Sequence, residues 1–150
     1  MQANYLADQL CEISTALDHE TVKTYGDLPE SSVATLLLLR RCAVPSLTFL
    51  SNEIGLSHFV TVRVIEQLED SKLVRRLKRQ GRQVQVKLTA GGKRKADELA
   101  KARRQAAETL LAKLDEEQRT VLSRAFTQIL NRTDRLGSFE DLASLTAGRS

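Results

Sequence analysis

The apolar positions of this chain change their period along its length, and each change predicts an element. Ala3, Leu6, Leu10, Ile13 and Leu17 recur at three and four residues, predicting an opening helix of roughly 20 residues that stops before Gly26 and Pro29. Residues 30–42 predict a second helix, and Pro45 breaks the pattern after it. Leu47, Leu50, Ile54 and Leu56 mark a short third helix closing at Gly55, where the missing side chain suits a left-handed turn. Ser57 is placed to cap a fourth helix, its hydroxyl taking an orphan backbone N–H. Thr61, Val64, Ile65 and Leu68 then give an inward face that lasts until Ser71 and Lys72.

Beyond Lys72 the period becomes two. Leu73, Arg75 and Leu77 alternate with their neighbours, Arg79, Gln80, Gly81, Arg82 and Gln83 make a polar tip, and Val84, Val86 and Leu88 alternate again. This pattern predicts a β-hairpin. Thr89 then caps a long helix with Gly91 and Gly92 in its first turn and Leu99, Ala106, Leu110 and Leu114 along one stripe. Asp115 and Gln118 have the spacing of a capping box, which opens a last helix carrying Val121, Leu122, Ala125, Phe126, Ile129 and Leu130 and ending at Gly137. Residues 138–150 are expected as a frayed tail with one turn near Leu142.

The expected fold is mainly α with a small β-hairpin, an α+β arrangement. Two helices joined by Gly55, Leu56 and Ser57 have the shape of a helix-turn-helix, a shape that ordinary all-α folds share. The hairpin directly after the second helix decides between them, because it is a wing. The winged unit, residues 30–90, has little core to spare at about sixty residues. The apolar stripes of residues 1–28 and 90–137 are too extended to fold back wholly on it. They are expected to pack against a second copy in a symmetric dimer, an intrachain bundle being the alternative, with all 150 residues forming one domain.

Composition narrows the function. The longest aliphatic run, residues 36–39, falls far short of the roughly 20 residues a bilayer span needs. Asp8 and the lack of a basic cluster near the start argue against a secretory or transit segment, so a cytoplasmic location and no membrane partner are expected. Cys11 and Cys42 are too few for a disulfide framework and lack zinc-site spacing. With only His19 and His58, no Gly-rich phosphate loop and no paired metal ligands, neither an enzyme nor a bound cofactor or metal is expected.

The net charge of +4 conceals a contrast: residues 1–57 sum to −4, residues 58–95 to +8 and residues 96–150 to zero. Residues 72–95 hold ten basic side chains and no acid, which points to a polyanion as partner rather than to a merely solvated face. Arg79 and Arg82 lie either side of the glycine at the wing tip. An arginine on a narrow ribbon can enter the minor groove of double-stranded DNA, where negative potential is concentrated, while the helix reads the major groove.

Leu47, Thr48, Leu50, Ile54, Gly55, Leu56 and Ser57 look like a family helix-turn. Val64, Glu66, Leu68, Glu69, Leu73 and Val74 look like the recognition helix and the strand after it, Leu88, Thr89 and Gly92 like the wing-to-helix junction, and Leu114, Asp115, Glu116 and Glu117 like the start of the last helix. In this order and spacing they resemble the MarR family, the multiple-antibiotic-resistance type of winged helix-turn-helix regulator of bacteria, over residues 5–135. There are two departures. Gln80 stands where the family's wing usually carries an acid two residues before its arginine, and Phe59, Val60 and Val62 make the recognition helix more apolar than usual.

The resemblance implies a homodimeric transcription factor, a repressor by type, on a short pseudo-palindrome with two wings in flanking minor grooves. By position, Ser57, His58, Phe59, Thr61 and Arg63 are expected to meet DNA from the recognition helix, and Arg79 and Arg82 from the wing. Ser57 and His58 suit a phosphate at a helix N-terminus, Arg63 a guanine edge or phosphate, and Phe59, Val60 and Val62 either thymine methyls or packing. Arg75, Arg76 and Lys78 are expected to position the DNA backbone without reading sequence. Family members commonly release DNA on taking up a small aromatic or phenolic effector, or on cysteine oxidation. Cys11 resembles in placement the reactive cysteine of the family's organic hydroperoxide sensors, although Tyr5 and Tyr25 do not reproduce their tyrosine surround; ordinary helix packing is the alternative for both cysteines. A winged helix whose basic face meets an acidic protein is the competing reading.

Overall fold

The computed structural model describes residues 2–77 and 83–134. Three of its helices start on a hydroxyl. Ser46 Oγ accepts the Phe49 N–H at 3.1 Å, Ser57 Oγ the Val60 N–H at 3.2 Å and Thr89 Oγ1 the Gly92 N–H at 3.0 Å. In chain order the elements are α1 (Gln2–Val22), α2 (Glu30–Arg41), α3 (Leu47–Ile54), α4 (His58–Asp70), β1 (Val74–Arg76), β2 (Val86–Leu88), α5 (Ala90–Leu111) and α6 (Glu116–Asp134). The capping box before α6 is reciprocal: Gln118 N–H donates to Asp115 Oδ1 at 2.8 Å, and Asp115 N–H donates to Gln118 Oε1 at 3.0 Å. The expected turn near Leu142 and tail at residues 138–150 lie outside the described residues.

One apolar core spans the centre of the chain. It joins Val33, Leu36 and Leu39 of α2, Leu50 of α3, Val64, Ile65 and Leu68 of α4, Val74, Val86 and Leu88 of the hairpin, and Ala96 and Leu99 of α5. The strands pair antiparallel with Val74 opposite Leu88, Arg75 opposite Lys87 and Arg76 opposite Val86. The inward position of β1 is therefore Val74, at 2% exposure, while Leu73 and Leu77 are only half-buried. Pairing with Leu88 fixes that phase. Residues 45–46 add a third backbone edge: Val86 N–H donates to the Pro45 carbonyl and Leu47 N–H to the Val84 carbonyl, both at 3.0 Å. This ties the start of α3 to the wing.

Two glycines set the angles between elements, one by its backbone conformation and one by a close approach. Gly55 ends α3 at φ 75°, in the left-handed region, and its N–H donates to the Ser51 carbonyl. Gly92 has no room for a side chain, since a Cβ there would stand 1.8 Å from the Leu73 carbonyl oxygen. Next to it, Thr89 Oγ1 donates to the Lys72 carbonyl at 2.7 Å and Thr89 N–H donates to the Leu73 carbonyl at 3.0 Å. The start of α5 is thereby locked to the chain entering the hairpin.

The outer helices differ from this centre. On α1, Thr21 is buried and Leu17 half-buried, whereas Leu6, Leu10 and Ile13 are 56–63% exposed. On α6, Val121 and Leu130 are each 61% exposed and Phe126 is 43% exposed. Arg119 of α6 reaches back to donate to the Leu111 carbonyl at 3.3 Å, satisfying the end of α5. Among the described residues, no helix is long and apolar enough to cross a membrane.

Candidate nucleic-acid interface

Helix α4 has two unlike sides. Thr61, Val64, Ile65 and Leu68 are at most 5% exposed and face the core. At 3.6 residues per turn, Phe59, Arg63, Glu66 and Asp70 fall opposite them, and all four are exposed. The basic and aromatic groups occupy the first half of that outer midline and the acids the second half. The N-terminal half is therefore the part of this face that favours an anion, since Ser57 and His58 are also exposed there and the partial positive end of the helix lies there. The Arg63 guanidinium sits over the Phe59 ring, 5.7 Å from its centroid.

Thr61 does not belong to this face. It is 1% exposed and its hydroxyl donates to the Ser57 carbonyl at 2.9 Å, so the expectation that it meets DNA is corrected. Its packing role is the one its helical phase dictates.

The hairpin continues the basic surface. Arg75 is exposed and stands directly across from Lys87, a like-charge pair that is unfavourable on its own and would be relieved by an anion. Arg76 is engaged within the chain: its Nε lies 2.8 Å from Glu69 Oε1, and its backbone N–H donates to Glu69 Oε2 at 3.4 Å. It braces the wing against α4, a half-exposed pair worth about 0–1 kcal/mol. Arg79 and Arg82, the expected wing-tip contacts, and Lys78, expected to position the DNA backbone, lie outside the described residues, as does Gln80. Lys87, which the sequence places only within the acid-free run, joins this basic surface through its cross-strand register with Arg75.

A crevice of about 620 Å³ opens between α1, α2, α3 and α5. Leu17, Leu37, Leu38 and Ile54 line it together with Arg40, Arg41, Arg103, Arg104 and Glu53. Two ion pairs cross between the helices here, Arg40 to Asp97 at 2.8 Å and Arg103 to Asp18 at 3.8 Å. Cys42 is buried near Glu53, and burial followed by that carboxylate pushes its thiol pKa up. Cys11 is exposed on α1.

No protein-family model and no curated protein matches the chain. Solved structures do match. A MarR family protein from Bacillus stearothermophilus is 19% identical, with a TM-score of 0.79 over 88% of this chain and 95% of its own. The chain has the MarR-family fold. FabT from Streptococcus pneumoniae, solved in complex with DNA, is 17% identical over 89% of this chain and 99% of its own, with a TM-score of 0.69. NadR, solved in complex with 4-hydroxyphenylacetate, is 20% identical over 83% of this chain and 91% of its own, with a TM-score of 0.66. The expected mainly α architecture with a hairpin wing, and its resemblance to the MarR family, thus agree with the structure.

Proposed function

We propose that this chain is a sequence-specific, double-stranded DNA-binding transcriptional regulator rather than an enzyme, acting in the cytoplasm as a repressor on a pseudo-palindromic operator. The observation that carries this reading is the first half of α4: a capped helix start with Ser57, His58, Phe59 and Arg63 exposed, followed at once by a hairpin with Arg75 opposite Lys87. The MarR-like neighbour that was solved in complex with DNA supports it. Residues 30–90 are the DNA-binding unit and residues 1–28 and 90–137 the dimerisation helices. Their exposed Leu6, Leu10, Ile13, Val121, Phe126 and Leu130 favour a second copy as cover.

Regulation belongs to the crevice. Its volume lies in the range of small-ligand sites, and a lining that combines leucines with arginines suits a small aromatic acid or phenol. The NadR complex with 4-hydroxyphenylacetate favours that chemistry. Cysteine oxidation has only the exposure of Cys11 behind it.

The test is a fluorescence anisotropy titration of duplex DNA from upstream of the chain's own gene, repeated across salt. Affinity should fall steeply as salt rises, and Arg63→Ala and Arg82→Ala should each lose about 1–3 kcal/mol. Binding that is absent or indifferent to salt would refute the proposal and favour an acidic protein partner.

A further inference from the structure

The exposed ring on α4 has no structural task that the core explains. Phe59 is 69% exposed, whereas the inward apolar residues of the same helix, Val64, Ile65 and Leu68, are at most 5% exposed. It is the second residue of α4, and the carbon of the Arg63 guanidinium lies 5.7 Å from its ring centroid, one helical turn further on. A guanidinium held against a ring face has fewer rotamers to lose and keeps its outer N–H groups available for the two acceptors of a guanine edge. The ring itself offers the major groove an apolar edge, for which thymine C5-methyl is the complementary group.

We propose that Phe59 and Arg63 act as one reading unit, in which Arg63 takes a guanine and Phe59 packs on the methyl of a nearby thymine in each half-site. This rests on the DNA-binding reading above and specifies what that site reads. Side chains four apart on a helix stand about 5–6 Å from each other, and bases along one strand about 3.4 Å, so the thymine and guanine lie within one or two steps. The acids further along the outer midline, Glu66 and Asp70, confine the unit to the start of the helix.

The test begins with selection of the full-length protein's preferred operator from a random duplex pool. Each thymine of the selected half-site is then replaced by uracil, which removes only the methyl group. One replacement, beside a guanine, should weaken the wild-type protein about fourfold per half-site, the factor that burial of one methylene-sized group carries. Phe59→Ala should bind the thymine operator more weakly than the wild type binds the uracil one, because it also releases the Arg63 guanidinium, and should be indifferent to the replacement. Arg63→Ala should lose preference for the adjacent guanine while keeping sensitivity to the methyl. A selected operator whose every thymine can be demethylated without loss, or a Phe59→Ala protein as methyl-sensitive as the wild type, overturns the proposal and leaves DNA recognition standing. A pool that yields no preferred sequence overturns both.

Discussion

The winged centre and the outer helices carry the same kind of apolar stripe and treat it in opposite ways. Leu36, Leu50 and Ile65 in the centre are fully enclosed, while Leu6 and Leu10 on α1 are 60–63% exposed. Helical period alone cannot distinguish these cases, because it reports which residues share a face and not what covers that face. The centre closes on itself through α2, α3, α4, the hairpin and the start of α5. The outer helices leave their apolar stripes exposed, and in the proposed dimer a second copy covers them, so stability should reside in the centre and assembly at the ends.

Substitutions should separate the two regions cleanly. Leu36→Ala empties a fully enclosed site and should cost about 2–5 kcal/mol in chemical denaturation, with little direct effect on any dimer contact. Gly92→Ala should follow at about 3 kcal/mol, since its methyl group collides with the Leu73 carbonyl and forces α5 away from the wing; a lower thermal midpoint with weakened DNA binding is the expected pair of readouts. Leu10→Ala should leave the centre folded while removing about 1.5–3 kcal/mol per copy from dimerisation, read as a rise in the dissociation constant by sedimentation. The smallest effect belongs to Arg75→Ala, which should weaken binding evenly across DNA sequences and reduce the salt slope by about one. If Leu36→Ala and Leu10→Ala behaved alike, the division between centre and ends would be wrong.

Much of this arrangement was legible from local chemistry. The Ser57 and Thr89 caps, the Asp115 and Gln118 box and the Gly55 turn are decided within a few residues, and each appears where its residue type requires it. What escaped depends on partners distant in sequence. The backbone edge that residues 45–46 add to the wing is made with residues about forty positions away, and two residues have no period to read. The inward phase of β1 fell on Val74 because Leu88 faces it across the hairpin, which alternation among Leu73, Arg75 and Leu77 could not reveal. Thr61 shows two local rules in conflict: its position near the helix start suggested DNA, its helical phase dictated burial, and packing won. The Phe59 and Arg63 stack was within reach, being a pair four residues apart, but only the exposure of the ring distinguishes it from a packed pair.

The most direct test of the central claim is the stoichiometry of the complex on a selected operator duplex, read by sedimentation velocity with separately labelled protein and DNA. Two chains on one duplex, with Leu10→Ala shifting that ratio downward at the same protein concentration, is the result expected of two winged centres joined through their outer helices. A single wild-type chain bound at saturation, or protein and duplex sedimenting independently, would contradict it.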